Sequence, residues 1–313
     1  MYLIGIDIGG TSLKTGLIED GKIIDKIEVP TNSFDLIKQL EATVIQLLDK
    51  NNLTIKEMSG MGVGCPGVIV NGKVLESANL KLFDCDLQKI LINTFDISVI
   101  VKNDADMATL AENKLGAGSG TKNMLMLTIG TGVGGGIIIN GTLYEGNGGA
   151  GELGHITYVK DGIPCNCGRK GCYEKYVSAS ALSNRALDMM QVIPNTIPLR
   201  EDGKVYASDL IVKYHEKDRC AIEVIDQYVE DLSNLIMSLC NNFRPEAVVI
   251  GGGISYAPDI ISMASSRSKM YNYGYKGAPE VKIIRAKLGN DAGILGTYAY
   301  YLDNHFDNSN LIN

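Results

Sequence analysis

The chain has 313 residues, of which 45% are hydrophobic and 36 are glycine, so it exceeds the usual size of one domain and suggests two lobes. Its formal net charge is −7 without any block of like charges, which argues against nucleic acid or an acidic membrane surface as a partner. No apolar stretch reaches the roughly 20 residues that span a bilayer, and no leader pattern opens the chain. We therefore expect a cytoplasmic α/β protein that binds small molecules.

The first part of the chain predicts a strand meander and then alternating helices and strands. Residues 2–8 form an apolar strand pattern, and Gly9-Gly10-Thr11 is a turn signal. Apolar residues at helical spacing over 36–48 predict an amphipathic helix. The other predicted elements are strands at 14–18, 22–29, 60–64 and 99–102 and helices around 87–91 and 105–114.

The same construction recurs later in the chain, which indicates two lobes built on one plan. A strand at 124–129 leads into a glycine turn at 130–136 and a strand at 137–139. A long amphipathic helix between 222 and 239 precedes a buried strand at 247–250. We expect the domains to be an N-terminal lobe over 1–117 with the closing segment 296–313 packed on it, and a C-terminal lobe over 118–295.

The first glycine turn has the composition of a phosphate site. Glycine lets backbone amides approach a phosphate closely, and a nearby hydroxyl or cation strengthens such a site. Gly9, Gly10, Thr11 and Lys14 supply these groups, and Asp7 could hold Mg²⁺ through water. Alone, such a turn is more often a plain hairpin.

Two further glycine turns change that balance toward nucleotide binding. Two hairpins of this kind could grip a polyphosphate from both sides, and a third turn after a buried strand could pass beside an adenine ring or ribose. The chain lacks the P-loop motif and a Rossmann fingerprint in the required context. The residues expected to contribute are Thr131, Gly132, Val133 and Gly134 in the second turn and Gly252 and Gly253 in the third.

The segment Asn103-Asp104-Ala105-Asp106 places two carboxylates where a strand ends and a helix begins. Asn and Asp are preferred helix N-caps, and we expect Asp106 to act as a cap. Asp104 lies nearer the strand end, where a carboxylate can accept the proton of a sugar hydroxyl in a phosphotransferase.

A cluster of cysteines near one histidine predicts a zinc site. The cysteine run begins at Cys165, ten residues after His155, and continues with Cys167 and Cys172. Three thiolates with one imidazole can close a tetrahedral site. Glu152 and Glu174 flank the cluster and stay free for a polar ligand. A structural metal and a ligand pocket could therefore share one loop.

Taken together, these motifs resemble those of sugar kinases of the ROK family (repressor, open reading frame, kinase), and the resemblance covers nearly the whole chain. It implies a two-lobed ribonuclease H-like fold of the actin/hexokinase type, an ATPase fold here with a zinc-binding loop. The motifs that carry the resemblance are 7–11, 65–67, 103–105, 130–136, 151–155 and 165–174.

The resemblance also implies roles for individual residues. Asp104 would be the general base, and the glycine turns would hold the phosphates of ATP. Zinc would be bound by His155 and the three cysteines of the cluster. The family usually has asparagine at position 106, so Asp106 adds negative charge beside the base. Sugar contacts would come from Gly67, Asn79, Asn103, Asp104, Glu152, His155 and Glu174.

The expected reaction is transfer of the ATP γ-phosphate to a hexose, with O6 of glucose as the first choice and Mg²⁺ assisting. The segment 77–80 resembles the glucokinase branch, but kinases for N-acetylmannosamine, N-acetylglucosamine, fructose, allose and β-glucosides share the sugar-binding residues. A sugar-responsive repressor would carry a helix-turn-helix domain before the first hairpin. A non-catalytic sugar sensor is a further alternative. A homodimer is the default assembly, with a tetramer as the alternative.

Overall fold

The computed structural model describes residues 1–77, 79–271 and 277–309, and the chain divides into two compact units. Unit 1 comprises Met1–Gly120, Leu143–Gly151 and the part of the chain from Leu288 onward, and unit 2 comprises the remainder. Residues 118–120, 143–151 and 288–295, assigned to the second lobe by sequence, are thus grouped with unit 1. Ala78 and residues 310–313, included in the predicted sugar segment and closing segment, lie outside the described residues. Among the described helices, none is both long and apolar enough to cross a bilayer.

Unit 1 is built on a five-stranded sheet and a small three-stranded sheet. Its elements are β1 Tyr2–Ile8, β2 Ser12–Glu19, β3 Lys22–Pro30, α1 Leu36–Lys50, β4 Met58–Cys65, β5 Val68–Val70, β6 Lys73–Ser77, β7 Leu82–Cys85, α2 Leu87–Phe95, β8 Val99–Asn103, α3 Asp104–Lys114 and α9 Ala292–Ser309. The larger sheet has the order β3-β2-β1-β4-β8, and the smaller sheet, whose strands lie between β4 and β8 in the chain, has the order β5-β6-β7. The meander β1 to β3 is antiparallel, whereas β4 and β8 run parallel to β1.

Unit 2 is built on a second five-stranded sheet. Its elements are β9 Met124–Ile129, β10 Val133–Ile139, β11 Thr142–Leu143, α4 Glu174–Val177, α5 Ala179–Met190, α6 Ala207–His215, α7 Arg219–Phe243, β12 Ala247–Gly251, α8 Pro258–Ser268 and β13 Lys282–Arg285. The strand order β11-β10-β9-β12-β13 repeats that of the larger sheet of unit 1. Strand β10 is antiparallel to β9, and β12 and β13 continue the sheet in parallel. The plan predicted from the recurring hairpin is therefore present in both units.

The helices form where apolar spacing and capping residues agree. In α1, buried residues recur at helical spacing from Leu36 to Leu48, so one face packs on the core of unit 1. In α7, the Asp218 side chain accepts the backbone N–H groups of Cys220 and Ala221, which satisfies two donors of the first turn. The apolar face of α7 then runs through the core of unit 2.

Helix α9 lies close against the sheet of unit 1 because glycines leave room for it. A Cβ atom on Gly62 would lie 2.3 Å from Cβ of Thr297, and one on Gly5 would lie 2.9 Å from Cγ2 of Ile294. Gly296 in turn lies against the backbone of Met107 in α3. Strand glycines normally weaken a sheet, so here they serve the close approach of a helix.

We expect Gly62→Ala to destabilise the protein by about 2 to 3 kcal/mol, because the added methyl group would force α9 away from β4. Thermal or urea unfolding measures this loss. Gly277→Ala is the matched control, since a Cβ at exposed Gly277 meets no atom within 4 Å. Equal stabilities of the two variants would contradict the close packing of α9.

Candidate active site

The first glycine turn joins β1 to β2 and is held by its own backbone and by Thr31. The N–H of Gly9 donates to the carbonyl of Ser12 at 2.8 Å, and the Thr31 hydroxyl donates to the carbonyl of Gly9 at 2.7 Å. Gly10 and Thr11 at the tip are exposed, so a ligand can reach this backbone. The turn therefore has a fixed shape and an accessible tip, as a phosphate site requires.

Asp7 and Lys14 face each other directly beneath this turn. The Lys14 ammonium lies 3.2 Å from Oδ2 of Asp7 and donates to the carbonyl of Asn290 at 3.4 Å. Burial raises the pKa of Asp7, and the neighbouring Lys14 opposes that rise. A Cβ on Gly293 would lie 2.5 Å from Cγ of Asp7, so the start of α9 closes one side of the carboxylate.

Asn103 organises the end of β8 and caps α3. Its Oδ1 accepts the N–H groups of Ala105 at 2.8 Å and Asp106 at 3.1 Å, and its Nδ2 donates to the carbonyl of Gly67 at 3.0 Å. The prediction that Asp106 caps this helix is wrong: Asp106 is the third residue of α3 and is only 6% exposed. The strand end directs Asn103, not Asp106, onto the free N–H groups of the first turn.

Gly67 is required at its position by both conformation and space. Its φ of +112° lies in the left-handed region, and a Cβ there would lie 2.2 Å from the carbonyl oxygen of Glu76. The Gly67 carbonyl is therefore held where Asn103 can donate to it.

Asp104 is the first residue of α3 and is half-buried. Its Oδ1 accepts the N–H of Ala105 at 3.0 Å, and its charge adds to burial in raising the pKa of the Cys65 thiol. Asn79 is exposed, and its Cβ lies 3.9 Å from where a Cβ on Gly10 would be. Unit 1 thus brings Asn79 beside the first glycine turn and places Asp104 next to Asn103, which binds the Gly67 carbonyl.

In unit 2, the second glycine turn is shorter than predicted. The N–H of Gly130 donates to the carbonyl of Gly132 at 3.0 Å, and β10 already begins at Val133. Gly134 is therefore a strand residue, paired with Thr128 of β9.

The third turn lies at the same edge of this sheet as the second. Gly252 has φ of +76°, and a Cβ there would lie 2.5 Å from the carbonyl of Ile129 at the end of β9. Because β12 and β9 are parallel neighbours, their carboxyl ends bring Gly252 beside the Ile129-Gly130 peptide.

The four predicted zinc ligands form one cluster in unit 2. Their ligand atoms all lie within 4.8 Å of one another, with His155 Nδ1 3.6 Å from Sγ of Cys165 and Sγ of Cys167 3.5 Å from Sγ of Cys172. Zn–S bonds of about 2.3 Å and Zn–N bonds of about 2.0 Å separate tetrahedral ligands by about 3.5 to 3.8 Å. The donor set and its spacing fit zinc.

The electrostatics of the cluster favour one thiolate, at Cys167. Burial raises the pKa of Cys167, but bonds from the Arg169 backbone and from the neighbouring thiols outweigh it and lower that pKa to about 6. Burial and the neighbouring Cys167 and Cys165 raise the pKa of Cys172 to about 12. One thiolate forms readily and suppresses the next, and a divalent cation removes that repulsion.

Glu174 joins the zinc cluster to the second glycine turn. Its Oε2 accepts the N–H of Val133 at 3.1 Å, and its Oε1 lies 3.8 Å from Sγ of Cys165. A Cβ on Gly132 would lie 2.6 Å from this carboxylate, so an added methyl group would displace the Glu174 side chain.

Glu152 and the outer ring nitrogen of His155 complete the group in unit 2. His155 Nε2 lies 3.9 Å from Oε2 of Glu152. Burial raises the pKa of Glu152, His155 lowers it and Glu174 raises it, which places these charges near one another. Nδ1 of His155 therefore faces the thiols while Nε2 faces a carboxylate, which orients the ring.

Three polar residues near these groups were not predicted from the sequence. Glu112 is fully buried, and its two carboxylate oxygens accept the N–H groups of Ala117 and Leu288, each at 2.7 Å. Lys102 and Glu145 form an ion pair of 2.6 Å in unit 1. The available signal for Glu112 was a glutamate four residues before the glycine-rich run at 116–120. The sequence spacing of Lys102 and Glu145 contains no such signal.

The repeated five-stranded sheets and the sites on them define a two-unit α/β protein of the ribonuclease H-like, actin/hexokinase type, which confirms the predicted fold class. A family model for the ROK family matches residues 3–304. The chain belongs to the ROK family.

Several proteins show how close this relationship is. A glucokinase of Halalkalibacterium halodurans is 36% identical over 308 residues, which cover 94% of this chain and 93% of the relative. An N-acetylmannosamine kinase of Haemophilus influenzae is 26% identical, covering 96% and 95%. The crystal structure of a ROK family glucokinase from Streptomyces griseus in complex with glucose and AMPPNP has a TM-score of 0.83 at 28% identity, covering 96% of this chain and 99% of the other.

Proposed function

We propose that this chain is an ATP-dependent sugar kinase that transfers the γ-phosphoryl group to a hexose, with O6 of glucose as the expected acceptor. The observation that carries this proposal is the continuous group in unit 2, in which Glu174 bonds the glycine turn at Val133 and contacts the thiol cluster. The Glu174 carboxylate therefore links the glycine turn that is expected to bind phosphate with the groups that are expected to hydrogen-bond the sugar. The names of the glucokinase relative and of the glucose and AMPPNP complex support the same function.

In this proposal Asp104 is the general base. Its carboxylate takes the proton of the sugar hydroxyl, the hydroxyl oxygen bonds to the γ-phosphorus, and the bond to the β,γ-bridging oxygen breaks to release ADP. Asn103 holds the strand end and the Gly67 carbonyl, which keeps Asp104 at a fixed place in the first turn of α3. Positioning and charge stabilisation supply most of the catalysis in such reactions.

ATP would be held by exposed backbone of the glycine turns and by the charges beneath the first of them. Gly9, Gly10 and Thr11 and the turn from Thr131 to Gly134 would face the phosphates, with Gly252 and Gly253 beside the nucleoside. Lys14 would balance phosphate charge, and Asp7 would hold Mg²⁺ through water. When bound, Mg²⁺ neutralises charge on the phosphates.

Asn79, Asn103, Glu152, His155 and Glu174 would hydrogen-bond the sugar, and Gly67 would border it. Zinc would be held by Nδ1 of His155 and by the three thiolates, where it stabilises the loop. Its effect on the sugar passes through His155, because the metal fixes the ring and leaves Nε2 for Glu152 or a hydroxyl.

The identity of the hexose is tested by a substrate panel. We expect sugar-dependent ADP release, measured by a coupled assay, with kcat/KM highest for glucose. N-acetylmannosamine is the first alternative because of the kinase relative of that name. Highest kcat/KM for another hexose would overturn the glucose assignment, and sugar binding without ADP release would favour a non-catalytic sensor.

We also infer that the protein is a homodimer, and light scattering tests this oligomeric state.

A further inference from the structure

The segment Leu143–Gly151, here called the strap, belongs to unit 1 although the residues on both sides of it belong to unit 2. It ends one residue before Glu152 and four residues before His155. Its glycines at 146, 148, 149 and 151 all have φ between +59° and +92°. Because glycine loses more backbone entropy on folding than any other residue, such a strap keeps one conformation only if other contacts hold it.

Glu145 makes the contacts that hold the strap. Its carbonyl accepts the N–H groups of Gly148 at 2.9 Å and Ala150 at 3.3 Å, which closes the turn. Its carboxylate lies 2.6 Å from the ammonium of Lys102 on β8. A Cβ on Gly148 would lie 2.5 Å from Cγ2 of Val70, so the turn sits directly on β5.

Lys102 is itself held firmly and lies next to the proposed base. Its ammonium is 4.9 Å from the ring centroid of Tyr300, a cation-π contact on its other side. The Lys102 side chain is 19% exposed and that of Glu145 is 36% exposed, so water screens this pair less than a fully exposed one. Asn103 and Asp104 follow Lys102 directly, so one end of the ion pair is anchored in the backbone that carries the base.

We propose that Glu145 is a positioning residue, whose ion pair with Lys102 fixes the strap and thereby the backbone that leads into Glu152 and His155. The inference rests on the proposed function, since Glu152 and His155 matter here as sugar contacts. Glu145 touches neither substrate in this proposal. Its loss should therefore weaken sugar binding more than phosphoryl transfer.

The test is a charge-swap cycle at this pair, with glucose as the sugar probe. We expect Glu145→Lys and Lys102→Glu each to raise the KM for glucose about tenfold or more while kcat changes less than about threefold. The double variant restores the pair with reversed charges and should recover KM to within about threefold of the wild type. Zinc content and Tm of all variants are measured beside the kinetics, and we expect zinc content to stay unchanged.

Glu280→Gln is the matched control, because it breaks an ion pair of the same length, 2.6 Å to Lys269, away from the proposed site. We expect its KM to equal that of the wild type. Single variants whose KM stays within twofold of the wild type, or a double variant no better than either single one, would overturn the inference. A fall of kcat without a change of KM would overturn it as well.

Proteolysis tests the docking of the strap independently of activity. Tyr144 is 48% exposed and offers chymotrypsin a site within the strap. Lys102→Met leaves the sequence of the strap unchanged, and we expect it to speed cleavage after Tyr144 severalfold. An unchanged cleavage rate would refute the docking role. If the wild type phosphorylates no sugar but Lys102→Met is still cleaved faster than the wild type, the proposed function is refuted. The docking of the strap is then still supported.

Discussion

Asp104→Asn is expected to lower kcat for sugar phosphorylation by about two to four orders of magnitude. Asparagine has the shape of aspartate but cannot take the proton of the attacking hydroxyl. Asp104 begins α3, and the capping of that helix comes from Asn103, so the substitution leaves the capping bonds in place. We therefore expect Tm and sugar affinity to change little. Coupled ADP release under saturating substrates measures the loss.

Asp106→Asn is the matched control for this variant. Asp106 lies two residues further along α3 and is buried. We expect its kcat to stay within about threefold of the wild type. The pair of variants distinguishes the two carboxylates directly. Near-normal turnover of Asp104→Asn, or an equal loss in both variants, would contradict the assignment of Asp104 as the base.

The second large effect is expected on removing a ligand of the zinc cluster. Cys172 is fully buried, and its Sγ lies 3.5 Å from that of Cys167, so Cys172→Ser should lose about one equivalent of zinc per chain. The segment from His155 to Glu174 would no longer be held together by the metal, and we expect Tm to fall by about 10 °C or more. Metal analysis and thermal unfolding measure both changes.

Chelation of zinc from the wild-type protein should weaken sugar binding before it slows phosphoryl transfer. We expect the KM for sugar to rise before kcat falls, because in the proposed function zinc would fix His155 and would take no part in phosphoryl transfer. Cys85→Ser is the control for Cys172→Ser, since Cys85 is a free thiol of unit 1 outside the cluster. Zinc removal that changes neither sugar affinity nor Tm would show that the shared-loop interpretation is wrong.

Helix α3 shows why a cap is hard to assign from sequence alone. Asn103, Asp104 and Asp106 all have side chains that cap helices well. The choice among them depends on where β8 ends, and β8 pairs with β4 as far as Asn103, opposite Cys65. The strand therefore places Asn103 just outside the helix, and Asp106 falls inside it.

The second glycine run shows a similar limit for strands. Three consecutive glycines at 134–136 read as a turn, because glycine has low strand propensity. In the structure they pair with Thr128, Leu127 and Met126 of β9. The sheet supplies their hydrogen bonds, and the turn shrinks to Gly130–Gly132.

The sequence alone determined the features that depend on local spacing. The cysteine cluster, the glycine turn after Asp7, the amphipathic helices and the repeated hairpin plan all follow from residues near one another in the chain. Metal geometry and backbone sterics restrict such spacings tightly, so a few residues carry the prediction.

The tertiary structure decided the contacts between residues that are far apart in sequence. Glu174 meets Val133 across 41 residues, Lys102 meets Glu145 across 43, and Glu112 meets Leu288 across 176. Strand order in the two sheets and the grouping of the strap with unit 1 bring these partners together. The residues around a glutamate in sequence do not predict its partner. Long-range packing selects that partner, and helix or strand propensity does not.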